Sequence, residues 1–255
     1  MSAVGSLVIV GLGPGTAEWL TPAASDALAR ATDLVGYGPY LDRAPAHAHQ
    51  RRHASDNRVE VERAAMALDL AVEGKHVAVV SGGDPGIFAM AAAVFEALDG
   101  GRPEWRNIPI TVEPGITAML AAAARLGAPL GGDFCAMSLS DNLKPWEVIV
   151  QRLIAALSAD FFISLYNPIS SARPWQLGEA LRLAGTIRAG ETPVIFARAV
   201  GRPNESLIVT NLDRAGDVKA DMSTLVMIGA STTRLIARGS ERPYVYTPRF
   251  YGGGR

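Results

Sequence analysis

The chain has 255 residues, a formal net charge of −1 and one cysteine. That length buries one large core or two modest ones without covalent staples, and a lone thiol closes no intrachain disulfide and builds no cysteine-ligated zinc or iron–sulfur centre, which points to a reducing, cytoplasmic setting. A near-neutral charge with scattered arginines excludes the electrostatic footprint of a nucleic-acid binder.

The first apolar run, residues 7–10, has no basic segment before it and ends at once in Gly11-Leu12-Gly13-Pro14-Gly15, so it is expected to be a strand entering a turn rather than a secretion signal. A helix is expected from Thr21-Pro22, with Thr21 as the cap and Pro22 at the first helical position, where its missing N–H costs nothing. A strand over 33–37 follows. His47, His49 and His53 then cluster with Arg51 and Arg52. With no carboxylate nearby to orient the imidazoles, the segment is expected to be a solvated basic loop, and no metal site is assigned. A helix over about 60–73 carries Val61, Ala64, Ala65, Leu68 and Ala71 on one face. Strands at 76–80 and 110–112 complete the first half. The apolar stretch 86–94 is broken by Glu96, well short of the roughly 18–20 residues that span a bilayer, so no membrane association is expected. Short β-branched runs alternating with alanine-rich helical segments predict βαβ units and a mostly parallel sheet.

The turn-rich stretch Gly127-Ala128-Pro129-Leu130-Gly131-Gly132-Asp133 is the candidate boundary, giving an N-terminal α/β domain over 1–128, a C-terminal α/β domain over 129–245 and a tail over 246–255, frayed from Arg249. Strands are expected at 134–138, 161–166, 193–197, 207–210 and 225–228, with helices over about 145–157 and 174–183. The last three strands have little helix between them, so this second sheet should be mixed. Cys135 lies inside an apolar strand and is expected to be a small buried hydrophobe. Ser138-Leu139-Ser140-Asp141 has no adjacent histidine, which argues against a serine hydrolase.

Three N-terminal strands run into glycine-proline turns: Gly11 to Gly15, then Ser81-Gly82-Gly83-Asp84-Pro85-Gly86, then Glu113-Pro114-Gly115-Ile116-Thr117-Ala118. In a parallel sheet all three lie at the carboxyl edge, where ligands bind in doubly wound folds. The first turn is close to the dinucleotide fingerprint but fails it. Pro14 lacks an N–H that a pyrophosphate would use, Thr16 stands where the third glycine belongs, and Asp33 begins its strand instead of ending it. These mismatches disfavour a nicotinamide-dependent oxidoreductase, which stays as the distant alternative beside a non-catalytic binding module. Asp84-Pro85 has the chemistry of a helix start, and the neighbouring glycines would let a ligand approach the backbone closely.

Taken in order, the three turns resemble those of the tetrapyrrole methylase family. Four further segments are similar to one branch of it that acts in cobalamin biosynthesis: Val35-Gly36-Tyr37-Gly38-Pro39-Tyr40, the run from Ser138 through Lys144-Pro145-Trp146, Leu165-Tyr166-Asn167-Pro168, and Tyr246-Thr247-Pro248-Arg249. The resemblance implies two α/β domains with the active site in the cleft between them, S-adenosylmethionine as methyl donor and S-adenosylhomocysteine as product, and a homodimer. It implies methyl transfer to C17 of precorrin-3B with ring contraction to precorrin-4, the alternative being another position of a precorrin or cobalt-precorrin. Carried over position by position, the donor-binding residues would be Pro14, Gly82, Gly83, Asp84, Ile87, Thr117 and Ala118, with Tyr166, Asn167, Val200, Gly201, Thr224 and Leu225. Two positions depart from the pattern, Asn167 standing for a methionine and Ala230 for an asparagine. The arginine-rich composition offers bidentate donors for a polycarboxylate substrate. Tyr37, Arg58 and Arg63 are its candidate contacts, with Arg43, Arg173 and Arg202 in neighbouring segments. No general acid or base is assigned.

Overall fold

The computed structural model describes residues 5–56 and 59–250. The chain divides into two compact units, Met1–Ala118 and Met119–Arg255.

The first unit runs β1 (Ser6–Gly11), α1 (Pro22–Arg30), β2 (Asp33–Tyr37), α2 (Gly38–Leu41), β3 (Arg51–Ser55), α3 (Glu60–Val72), β4 (His76–Ser81), α4 (Met90–Gly100) and β5 (Ile110–Glu113), and ends where α5 (Ala118–Leu126) begins. Its sheet has the order β3-β2-β4-β1-β5, and every pairing is parallel. Alternate strand residues point to opposite faces, and helices cover both. Leu7, Ile9, Val77 and Val79 pack with Ala64, Leu68 and Val94 of α3 and α4. Val10, Leu34, Ala78 and Val80 pack on the other side with Ala24 and Leu28 of α1 and with Leu41 of α2. The Thr21 hydroxyl accepts the Ala24 N–H at 3.1 Å, capping α1 as the sequence predicts.

An expectation for the edge of this sheet fails. The histidine-arginine segment is a loop only in part: His47 and His49 lie in the connection after α2, but residues 51–55 form β3, an edge strand paired with β2. A carboxylate does orient one imidazole, since Asp33 accepts from His53 Nε2 and from the Thr32 hydroxyl, both at 2.8 Å. Arg52 donates to the carbonyls of Ala44 (3.0 Å) and Pro45 (2.9 Å), which follow α2. Four of the five β3 residues are polar, so the strand shows no apolar alternation by which sequence could reveal it.

The second unit continues with β6 (Gly127–Ala128), β7 (Phe134–Ser138), α6 (Trp146–Ser158), β8 (Phe162–Tyr166), α7 (Gln176–Ile187), β9 (Pro193–Arg198), β10 (Ser206–Asn211), α8 (Leu212–Ala215), β11 (Thr224–Ile228), β12 (Arg234–Arg238) and β13 (Glu241–Tyr246). The larger sheet, ordered β10-β9-β11-β8-β7, is mixed as expected: β7 and β8 are parallel, and the other neighbours antiparallel. Ile163, Leu165, Phe196, Val226 and Ile228 meet Ile149, Leu153, Leu177 and Ala180 of α6 and α7 in one core. A second sheet, β12-β13-β6, was not legible in the sequence. All five β12 residues are exposed and β6 has only two residues, so neither carries a hydrophobic pattern. Chain beyond β13 remains tied in: Thr247, 5 % exposed, donates to the Ala128 carbonyl from its amide (3.0 Å) and to the Pro129 carbonyl from its hydroxyl (2.6 Å). No helix among the described residues is long and apolar enough to cross a membrane.

Candidate active site

Because the first sheet is wholly parallel, its three glycine-proline turns emerge along one edge, and they touch backbone to backbone. Gly13 and Gly83 exchange reciprocal N–H to carbonyl bonds of 3.1 and 3.0 Å, each glycine at φ +67°, in the left-handed region that L side chains rarely adopt. A Cβ on Gly115 would lie 2.3 Å from the Gly83 carbonyl oxygen and 2.9 Å from the Gly11 carbonyl carbon, and one on Gly11 would lie 2.7 Å from the Gly115 nitrogen. These glycines are therefore required because three main chains meet.

Asp84 fastens the junction, accepting the Gly86 N–H at 2.8 Å on Oδ1 and the Gly115 N–H at 3.1 Å on Oδ2. It does not start a helix, as the sequence suggested. The chain turns through Pro85 to Ala89, with Phe88 at φ 53°, and α4 begins only at Met90. The carboxylate is spent instead on a local turn and a bond to the neighbouring turn.

Among the other expected donor positions of this unit, Pro14 and Thr117 are buried, Gly82 and Gly83 half-buried, Ile87 exposed, and Ala118 opens α5. A Cβ on Gly83 would meet the Ile116 carbonyl oxygen and Thr117 Cα at 3.9 Å, ordinary contact, so its positive φ and not crowding calls for glycine there. Tyr37 packs edge-on against Tyr40 with ring centroids 5.4 Å apart. Tyr40 covers Gly82 so closely that a Cβ on that glycine would fall 2.8 Å from the ring. Arg43 donates to the carbonyls of Gly13 (2.9 Å) and Gly15 (3.4 Å), bracing the first turn. Sequence alone cannot reveal these two supporting roles, which depend on contacts across 28 residues or more. Arg63 is 4 % exposed and spends Nε on the Ser55 hydroxyl (2.8 Å), Nη1 on Met90 Sδ (3.2 Å) and Nη2 on the Asp56 carbonyl (2.6 Å). Its observed role is to brace the end of β3 against α3 and α4. Arg58 lies outside the described residues.

Within the second unit, strand directions gather the remaining expected positions. Ser138 pairs with Tyr166 where β7 and β8 end. Antiparallel β11 starts beside them, with Thr224 opposite Arg198 and Val226 opposite Leu165. Tyr166, Asn167, Val200, Gly201, Thr224 and Leu225 therefore share one sheet edge. The Tyr166 hydroxyl accepts the Met119 N–H at 3.0 Å, and Asn167, at φ 50°, donates to the Ser138 hydroxyl at 3.0 Å. Gly201, at φ +78°, gives its N–H to Glu205 (2.6 Å). Asp221 holds the start of β11, accepting from Ser223 N and the Thr224 hydroxyl (2.9 Å each) and from Arg198 Nε (2.7 Å). Partial burial pushes its carboxyl pKa up, but those bonds and the Arg198 charge outweigh burial and hold it below the usual range. Burial raises the Cys135 thiol pKa, which leaves it a poor nucleophile.

The three N-terminal turns carry no lysine or arginine and offer main-chain polar atoms, the hydroxyls of Ser81 and Thr117, and the carboxylates of Glu113 and Asp84, the latter already engaged by two amides. Residues 6–216 match the family model of tetrapyrrole (corrin/porphyrin) methylases. The chain belongs to the tetrapyrrole methylase family. This methylase is 56 % identical over 249 residues to a precorrin-3B C(17)-methyltransferase from Sinorhizobium sp, a match covering 98 % of each chain. The solved structure of the methyltransferase CobJ is 47 % identical, with a TM-score of 0.90 over 96 % of the methylase and 100 % of CobJ. A uroporphyrin-III C-methyltransferase from Thermus thermophilus, solved with S-adenosylhomocysteine, shares the fold at 23 % identity, with a TM-score of 0.65 over 88 % of the methylase and 97 % of that chain.

Proposed function

We propose that the protein transfers a methyl group from S-adenosylmethionine to C17 of precorrin-3B, with ring contraction to precorrin-4, in cobalamin biosynthesis. The observation that carries this is the junction of three glycine turns at the edge of a parallel sheet, in a chain 56 % identical over nearly its full length to a precorrin-3B C(17)-methyltransferase.

The residues present fit such a donor. Gly83, lacking a side chain, presents bare backbone to a ligand, and turns that carry no lysine or arginine of their own suit a ligand whose reacting centre is cationic better than a polyphosphate. A dinucleotide fits poorly. Ten residues separate the end of β1 from α1, so no helix N-terminus opens directly on the first turn to receive a pyrophosphate. Pro14, Gly82, Gly83, Asp84, Ile87, Thr117 and Ala118 would hold the donor at the glycine junction, and the family resemblance adds Tyr166, Asn167, Val200, Gly201, Thr224 and Leu225 as further candidate positions. When bound, the donor supplies an activated methyl on sulfur.

The protein then acts by positioning. Holding the acceptor carbon about 3–3.5 Å from the methyl group, with orbitals aligned, supplies roughly 7–11 kcal/mol of the barrier without any protein nucleophile. The glycine junction serves this by fixing three turns rigidly, and Asp84, Tyr40 and Arg43 hold those turns in place. A homodimer forms part of this proposal, and sedimentation of the purified chain tests it.

Incubation with precorrin-3B and methyl-labelled S-adenosylmethionine, followed by mass spectrometry and carbon NMR, should place the label on C17 of a ring-contracted product. Label at another carbon would reassign the position. Parallel reactions with the cobalt-bearing substrate decide which form is used. Calorimetric binding of NAD, with none of S-adenosylmethionine or S-adenosylhomocysteine, would falsify the methyltransferase assignment.

A further inference from the structure

Three arginines of the described chain are buried, and they differ in how their charge is satisfied. Arg188, 8 % exposed, is paired with Asp160 at 3.2 Å and donates to the carbonyls of Leu157, Phe161 and Gly229. Arg63 has all three side-chain nitrogens engaged. Arg173, 7 % exposed, has neither arrangement. No carboxylate among the described residues reaches it at ion-pair distance. Nη1 donates to the Asn167 carbonyl (3.1 Å), Nη2 lies 3.8 Å from Met222 Sδ, and Nε makes no hydrogen bond to a described residue.

A guanidinium carries five N–H donors, and a thioether is a weak acceptor. A cation kept largely from water without an anion is costly unless something supplies the anion. Its placement is not accidental to the fold. Reciprocal backbone bonds between Ser170 and Arg173, 3.1 and 3.0 Å, close the loop that carries it. The head group is thereby held between Asn167, just past the end of β8, and Met222 in the turn before β11. Met222 is 48 % exposed, so an incoming oxygen can displace its sulfur at little loss.

We infer that Arg173 is a carboxylate receptor of the methyl-transfer site. The inference rests on the function proposed above, which brings carboxylates from two sources, the acetate and propionate arms of the tetrapyrrole and the amino-acid end of the donor. A planar, always-charged guanidinium matches either one bidentately, and lysine would not.

The test compares wild type, Arg173→Gln and Arg173→Lys. Calorimetry uses S-adenosylhomocysteine and 5′-methylthioadenosine, which lacks the amino-acid carboxylate, and steady-state kinetics use precorrin-3B. Wild-type binding of S-adenosylhomocysteine tests the functional proposal by itself. If the receptor holds a substrate arm, Arg173→Gln raises the KM for precorrin-3B about 10- to 100-fold with S-adenosylhomocysteine affinity unchanged. If it holds the donor, S-adenosylhomocysteine weakens by that factor while 5′-methylthioadenosine does not. In either case Arg173→Lys falls between the two. Wild-type values throughout for Arg173→Gln overturn the inference. So does equal weakening of both nucleosides with an unchanged KM, which would mark Arg173 as a brace only.

Discussion

Gly115→Ala isolates the backbone junction. The new Cβ would sit 2.3 Å from the Gly83 carbonyl oxygen, where ordinary contact begins near 3.4 Å, so two main chains must part by roughly 1 Å. No flexible side chain is there to yield instead. Overpacking of this kind costs about 1–3 kcal/mol, and losing the Asp84 carboxylate bond to the Gly115 amide adds about 1.5–3 kcal/mol. Stability should fall by about 2.5–6 kcal/mol, a drop in Tm of at least roughly 5 °C in differential scanning calorimetry. Because the displacement falls at the proposed donor site, turnover should fall on the order of 10²-fold. Gly178→Ala in α7, where nothing lies within 4 Å of the added methyl, is the control and should be neutral or stabilising by up to about 1 kcal/mol. A Gly115→Ala protein with wild-type Tm and wild-type S-adenosylhomocysteine affinity would show that the three turns are not mechanically coupled.

Two further perturbations probe carboxylates whose pKa the fold lowers. Burial pushes the Asp33 carboxyl pKa up, but the hydrogen bonds from His53 and Thr32 and the nearby positive charge outweigh it and leave the pKa below its usual 3.8. The unfolded chain then binds protons first on acidification, so this contribution is complete above about pH 4 and lost as pH falls through the folded-state pKa. Asp33→Asn should flatten the acid limb of the stability–pH curve measured by urea denaturation, and superimposable curves would refute the assignment. Asp221→Asn should change Tm little, because its pair with Arg198 is about 40 % exposed and such pairs contribute about 0–1 kcal/mol. Loosening the turn before Thr224 should still weaken S-adenosylhomocysteine about 5- to 10-fold. A large Tm loss with unchanged affinity would make Asp221 purely structural.

What sequence alone determined follows from short-range rules. Apolar strands flanked by amphipathic helices specify a parallel α/β sheet because both faces must be covered, and β2 appears at the predicted residues. Thr21-Pro22 caps a helix through atoms three residues apart. The glycine turns were legible as a ligand edge because strand polarity is fixed once the sheet is parallel. Tertiary structure decided what depends on partners distant in sequence. Residues 51–55 became a strand because β2 offered its free edge, not through any pattern of their own. Residues 127–128 and 234–246 formed a sheet by the same logic. Asp84 gave up a helix start for an amide 31 residues away. The arginines show the same division most clearly: composition announced that they were abundant, but only packing separated Arg63 and Arg188, whose hydrogen bonds are made, from Arg173, whose charge is buried without an anion.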